Sequence, residues 1–104
     1  YRVYAMDLLG FGFSSKPPDR TYSLELWETQ VLDFCSFLGG AESPPWVLGG
    51  NSIGGIVAMG VASKCSSGAQ DLGNFGGVRG LLLFNCAAGS NNKLILTSYR
   101  TNGL

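Results

Sequence analysis

The sequence predicts an α/β fold in which a β-α-β-α-β segment of the chain contributes to a larger parallel sheet. Three apolar runs of strand length alternate with two segments of helical character. With 45% hydrophobic and 13% charged residues, the chain has the composition of a folded domain rather than of a disordered segment. Strands that alternate with helices imply parallel pairing and right-handed crossovers.

The first predicted strand is "YRVYAMDLL", an apolar run that we expect to be buried and to end near Asp7. A loop, "GFGFSSKPPDR", follows it. Gly10 and Gly12 permit unusual backbone angles there, and Pro17 and Pro18 prevent a helix from starting.

The first predicted helix begins after Ser23, a suitable N-cap residue, and carries Glu25 in its first turn, where the helix dipole favours an anion. Gly39 and Gly40 are expected to end it. One face of this helix is apolar at helical spacing, and the residues that form it are Leu24, Trp27, Val31, Phe34 and Leu38.

A short strand, "WVLGG", leads through "NSIGG" directly into a second helix, expected over residues 53–64. Gly54, Gly55 and Gly60 would be unfavourable in an exposed helix, so we expect this helix to lie close against the sheet. The run "VRGLLLFNCAA" predicts a third strand, buried on both faces. The loop at residues 65–77 and the tail after residue 88 carry no clear pattern.

The pattern Gly50-x-Ser52-x-Gly54 lies between the second strand and the second helix, with no residue to spare. This is the setting of a nucleophile elbow, in which Ser52 projects from a strained turn. We expect Gly50 and Gly54 to approach so closely that a Cβ on either would clash. The backbone amide of Ile53 would donate to an oxyanion at the start of the helix. The alternative is that Ser52 is only a helix N-cap.

Other glycine motifs match less well. A P-loop requires a lysine after its second glycine, and none follows Gly54 or Gly55. Gly10-x-Gly12 resembles part of a dinucleotide fingerprint, but Ser15 stands in place of the third glycine. The sequence contains no histidine, so these residues cannot supply an imidazole base.

Charge and apolar-run length exclude several kinds of partner. The net charge is zero, so no broad basic face is available for phosphates, and nucleic acid is not an expected partner. No apolar run reaches the length of a transmembrane helix. The three cysteines, Cys35, Cys65 and Cys86, are not spaced as a metal site or disulfide framework. We expect them to be buried, reduced thiols.

Together, "VYAMDLLGFGFSSKP" and "LGGNSIGG" resemble the strand-and-loop signature and the nucleophile elbow of α/β-hydrolases. That fold has three layers (αβα), with the sheet between two layers of helices. The resemblance covers most of residues 1–86. It implies that residues 1–104 are a partial α/β-hydrolase domain, without the earlier strands, cap, catalytic acid and histidine. It also implies a missing strand between the first two predicted here. Because the chain starts at Tyr1, without an initiator methionine, we expect it to be a fragment.

The resemblance assigns Ser52 as the catalytic nucleophile and the Ile53 amide as one oxyanion donor of an ester hydrolase. It implies a small-molecule ester substrate and neither a cofactor nor a metal. Asn85 stands where some relatives carry their acid, but an amide cannot serve as a carboxylate. Asp7 corresponds to a structural position, and we expect its carboxylate to accept hydrogen bonds from nearby loop amides.

A narrower similarity, carried by "GNSIGG", "LLLFNCAAGSNNK" and "DLLGFGFSSKP", is to plastid α/β-hydrolases of plants and algae that cleave the phytyl ester of chlorophyll pigments. It implies a hydrophobic alcohol in the substrate and a chloroplast location. The alternative function is a non-catalytic hydrolase-fold protein that acts as a ligand receptor or scaffold.

Overall fold

The computed structural model describes residues 1–19, 21–39, 43–66 and 75–86. Within these ranges the chain forms two helices and two strands, which are, in order, α1 (Leu24–Gly39), β1 (Trp46–Asn51), α2 (Ile53–Ser66) and β2 (Val78–Phe84). Helix α1 ends at Gly39, the first of the two glycines predicted to end it. Gly40, most of the loop at 65–77 and the tail lie outside the described residues.

The two strands pair in parallel and α2 connects them. The register places Asn51, the last residue of β1, opposite Phe84, the last residue of β2. The carboxyl ends of both strands therefore lie at the same edge of the sheet. The predicted α/β class, with parallel strands joined through a helix, is confirmed.

Helix α1 begins as the sequence predicts. The Leu26 amide donates to Ser23 Oγ over 3.1 Å, and the Trp27 amide donates to the Ser23 carbonyl over 3.2 Å. On its inner face, Trp27 and Cys35 are buried. The Ser23 side chain thus satisfies the Leu26 amide, one of those that lack an acceptor at a helix start, and the Ser23 carbonyl accepts the first regular bond of the helix.

Helix α2 forms most of the core, because it contacts α1 and both strands. Four of its side chains are buried, and they are Ile56, Val57, Ala58 and Val61. It extends two residues beyond its predicted end, to Ser66. In the part of the chain that the structure describes, no helix is both long and apolar enough to cross a membrane.

Helices α1 and α2 meet at a buried ion pair. Glu28 is 1% exposed, and its Oε1 atom lies 3.0 Å from Lys64 Nζ. A Cβ on Gly60 would overlap the Glu28 carboxylate. A close contact at Gly60 was expected and is present, but the expectation that it is with the sheet is wrong, because Gly60 faces α1.

The first predicted strand is not formed. Residues 1–8 have no regular secondary structure and pair with no strand in the described ranges, and Val3 is 89% exposed. They line a groove of about 1370 Å³ together with β1 and parts of both helices. The prediction of burial is wrong for this segment because no described strand lies beside it to cover its side chains.

The third predicted strand is formed as β2, but its predicted burial is also wrong. Leu82 and Phe84 are 56% and 59% exposed. An apolar run is buried on both faces only when other elements cover both faces of its sheet. Among the described residues, the sheet has two strands, too few to shield these side chains.

The three cysteines are free thiols, with Cys35 buried and Cys65 and Cys86 half-buried. Burial raises the pKa of the Cys35 thiol from 9.0 to about 11, and the neighbouring Cys65 thiol adds to the increase. Burial likewise raises the pKa of Cys65, against the opposing effect of a backbone hydrogen bond from Val78. The expectation of buried, reduced thiols is confirmed for Cys35.

We predict that Lys64→Ala lowers the free energy of unfolding by about 1–3 kcal/mol, because it leaves the Glu28 carboxylate buried without its cation. The loss is smaller than for a fully buried pair, since the Lys64 side chain is 31% exposed. Urea unfolding measures the difference. Lys64→Arg keeps the charge and is the matched control. Equal stability of the alanine and arginine variants would contradict the prediction.

We also predict a stability change at alkaline pH that depends on Cys35. Its pKa is higher in the folded state, so its contribution is fully present below pH 9.0 and is lost as the pH rises towards about 11. The free energy of unfolding should therefore decline less steeply between pH 9 and pH 11 in Cys35→Ala than in the unaltered protein. Parallel curves for the two proteins would refute this prediction.

Candidate active site

Ser52 is the single residue between β1 and α2. Its φ of 56° lies in the left-handed region, which non-glycine residues rarely adopt and which functional sites favour. The residue is exposed. The direct strand-to-helix turn predicted from "LGGNSIGG" is therefore confirmed, and Ser52 stands at its apex.

Backbone hydrogen bonds hold this turn. The Ser52 amide donates to the Phe84 carbonyl over 2.8 Å, which ties the apex to the end of β2. The Ser52 carbonyl accepts from the amides of Gly55 and Ile56 at 3.0 and 3.3 Å. These bonds involve the main-chain amide and carbonyl of Ser52 and do not involve its side chain.

The geometry argues against a capping role for the Ser52 hydroxyl. A capping side chain accepts from the helix amides and sits on a residue with extended backbone angles. Here φ is positive, and the amide of Gly55, which a capping hydroxyl would bind, donates to the Ser52 carbonyl instead. Among the residues that the structure describes, Ser52 Oγ makes no hydrogen bond.

The end of β1 passes so close to the start of α2 that Gly50 cannot carry a side chain. A Cβ at Gly50 would overlap the backbone carbonyl group of Gly54. The expectation that Gly54 is equally constrained is wrong, because a Cβ on Gly54 would meet nothing within 4 Å. Its Cβ direction points away from the strand. Gly55 faces the strand instead, since a Cβ on it would lie 3.2 Å from the Gly50 carbonyl oxygen.

Ile53 opens α2 and follows Ser52 directly. As the first residue of a 14-residue helix, its amide has no carbonyl acceptor one turn earlier within that helix. The positive end of the helix dipole also lies at this terminus. A donor with these properties suits a developing oxyanion, although the assignment of the Ile53 amide to that role stays a prediction.

Two residues beside Ser52 were not identified as partners by the sequence analysis. Asn85 follows β2, and its Nδ2 atom donates to Asn51 Oδ1 over 3.1 Å. Asn85 also has a left-handed φ, of 48°. The one available signal was that parallel strands end at the same edge, which brings residues after "WVLGG" and "VRGLLLF" together.

Asp7 makes contacts with its own loop and with α1. The Phe13 amide donates to Asp7 Oδ2 over 2.9 Å, as expected for a carboxylate bonded to loop amides. Gln30 Nε2 donates to the Asp7 carbonyl over 3.1 Å, and Ser14 Oγ donates to the same oxygen. The structural interpretation of Asp7 is confirmed by these contacts.

The partial dinucleotide motif lacks its helix. Gly10 and Gly12 lie in a turn, and the next helix begins only at Leu24. A phosphate site of this kind requires the glycine turn to open directly into a helix N-terminus. The Gly10-x-Gly12 turn therefore does not have the geometry of a nucleotide site.

Comparison with known proteins gives a consistent result. The model of the alpha/beta hydrolase family matches residues 1–100. A 2-hydroxymuconate semialdehyde hydrolase of Pseudomonas sp. (strain CF600) is 38% identical over 63 residues, which is 61% of this chain and 21% of that protein. Lipase 1 of Psychrobacter immobilis is 35% identical over 72 residues, 69% of this chain and 22% of the lipase.

Lipase 3 of Moraxella sp. (strain TA144) is 36% identical over 64 residues, covering 62% of this chain and 20% of that lipase. No solved structure gives a significant match. The chain thus spans about a fifth of the length of these curated relatives. The narrower similarity to plastid hydrolases stays a prediction. The family model matches residues 1–100, and β1 turns sharply into α2 at Ser52. The chain therefore belongs to the alpha/beta hydrolase family.

Proposed function

We propose that residues 1–104 are part of a longer serine hydrolase in which Ser52 attacks the carbonyl carbon of a carboxylic ester. The observation that carries this proposal is the position of Ser52, exposed at the apex of the β1–α2 turn with a φ of 56°. A hydroxyl presented at the carboxyl edge of a parallel sheet can reach a ligand bound there.

The chemistry requires groups that these residues do not supply. The Ser52 hydroxyl is a weak nucleophile until a base removes its proton. The sequence has no histidine. In the full-length protein, a histidine beyond these residues would act as the base, and an acid would orient that histidine. Attack forms a tetrahedral oxyanion, which the Ile53 amide stabilises. The alcohol then leaves with a proton, and water hydrolyses the acyl-enzyme.

The relatives and the narrower resemblance each support part of the proposed substrate class. Two of the curated relatives are named lipases and another is named a hydrolase of 2-hydroxymuconate semialdehyde. The two lipase names support an ester as the substrate, whereas 2-hydroxymuconate semialdehyde carries no ester, so that name supports only the hydrolysis of a small molecule. The similarity to plastid hydrolases refines the substrate to an ester of a hydrophobic alcohol, such as the phytyl ester of a chlorophyll pigment.

We predict that a fluorophosphonate probe labels the full-length protein at Ser52, because an activated serine attacks the phosphorus and displaces fluoride. Mass spectrometry of the labelled peptide locates the adduct, and a p-nitrophenyl ester measures turnover. Ser52→Ala should abolish both signals. Ser66→Ala removes another exposed serine hydroxyl, at the end of α2, and should preserve both. An unaltered protein that is folded but unlabelled at Ser52 would leave a non-catalytic hydrolase-fold protein as the better description.

We predict different effects for two adjacent glycines of β1. Gly50→Ala places a Cβ against the backbone of α2, so the turn must shift, and labelling of Ser52 should fall at least about 10-fold. Gly49→Ala is the matched control, since its Cβ would meet Leu82 at an ordinary 3.5 Å. It should label at close to the unaltered rate. Similar rates for both variants would contradict the close approach at Gly50.

A further inference from the structure

Two hydrogen bonds connect the end of β2 to the turn that carries Ser52. One joins the Ser52 amide to the Phe84 carbonyl over 2.8 Å. The other joins the side chains of Asn85 and Asn51, which we call the amide pair, with Nδ2 of the first 3.1 Å from Oδ1 of the second. Ser52 and the residue before it are therefore both attached to the neighbouring strand end.

The backbone at both strand ends is unusual. Ser52 and Asn85 have φ values of 56° and 48°, and among the described residues no other non-glycine residue has a positive φ. Asparagine tolerates this conformation better than most residues. Asn51 and Phe84 are the last paired residues of the two strands, and each is followed directly by one of the two left-handed residues. The amide pair therefore bridges two turns that each depend on support from their surroundings.

The amide pair is exposed to solvent. Water competes for exposed hydrogen-bonding groups, so this bond contributes little to the free energy of folding. Its effect is instead local, because it restrains the residue that precedes the apex of the turn. A displacement of about 1 Å in a catalytic group can reduce the rate about 10²-fold.

We propose that Asn85 is a positioning residue that acts on Ser52 through Asn51. Its side chain holds the end of β1 against the end of β2 and thereby keeps the Ser52 hydroxyl in the orientation for attack. This inference rests on the proposed role of Ser52. It gives Asn85 a task that needs an amide or another short hydrogen-bonding group and does not need a carboxylate.

The chemistry of the amide pair suggests which variants are informative. Each asparagine carries both a donor and an acceptor, so either can rotate to accept from the other. Asn85→Asp keeps a bond, since Asn51 can turn its Nδ2 towards the carboxylate. Asn85→Gly removes the side chain while accepting the left-handed φ without strain. The glycine variant therefore separates loss of the hydrogen bond from a change in the backbone.

The experiment measures fluorophosphonate labelling of Ser52 in the full-length protein, resolved into the maximal rate constant and the half-saturating probe concentration. Asn85→Gly should reduce the maximal rate constant about 3- to 10-fold, the range that one exposed hydrogen bond allows, and change the half-saturating concentration little. Asn85→Asp should recover most of the rate. The Asn51→Ala, Asn85→Gly double variant should be no slower than the slower single variant, because both changes remove the same bond.

Several results would overturn the inference. One is unaltered labelling of Asn85→Gly when the unaltered protein is labelled at Ser52, and the proposed function would then still stand. Another is a fall in labelling that matches an equal fall in the folded fraction, which would assign Asn85 to stability alone. Losses that multiply in the double variant would show that the two residues act separately. Absence of labelling in the folded, unaltered protein would remove the proposed function and this inference together.

Discussion

The direct turn from β1 into α2 is the constraint on which the candidate site depends. Only Ser52 separates the strand from the helix, so this one residue takes the left-handed φ that redirects the chain. Such a conformation costs on the order of 1–3 kcal/mol and persists only where surrounding structure holds it. The hydrogen bonds of Ser52 with the Phe84 carbonyl and with the amides of Gly55 and Ile56 stabilise it. The exposure of the Ser52 hydroxyl is a consequence of the same geometry.

Helix α2 transmits the packing of the core to this turn. It contacts both strands and α1, and its first residue follows Ser52 directly. At its other end, the contact of Gly60 and Lys64 with Glu28 fixes α2 against α1. Because a helix moves as a rigid element, a contact three turns away from Ser52 also helps to set where the helix begins.

The apolar content of the chain exceeds what the described residues bury. Leu82 and Phe84 on β2 and Val3 near the start of the chain are more than half exposed. Residues 1–8 and β1 border one groove of about 1370 Å³ without pairing across it. Apolar runs of this kind belong to strands that are covered on both faces. This excess fits a chain that spans about a fifth of the length of its relatives.

Local patterns were sufficient to predict the helices, both formed strands and the position of Ser52. Capping by Ser23, the apolar spacing of α1 and the glycines around Ser52 act over a few residues, so they can be read without the fold. The close approach at Gly50 was predicted on the same basis. The steric constraint at Gly54 was overestimated, because the direction of a Cβ there depends on how α2 leaves the strand.

The sequence by itself determined the two helices and the two strands that form, and that a serine stands between β1 and α2. Tertiary structure alone decided which apolar runs are covered, because burial depends on neighbouring strands and helices rather than on the run itself. It also decided that Gly60 faces Glu28 and that Asn85 reaches Asn51. Both contacts join residues more than thirty positions apart, and the helix packing and strand register that create them are properties of the assembled fold.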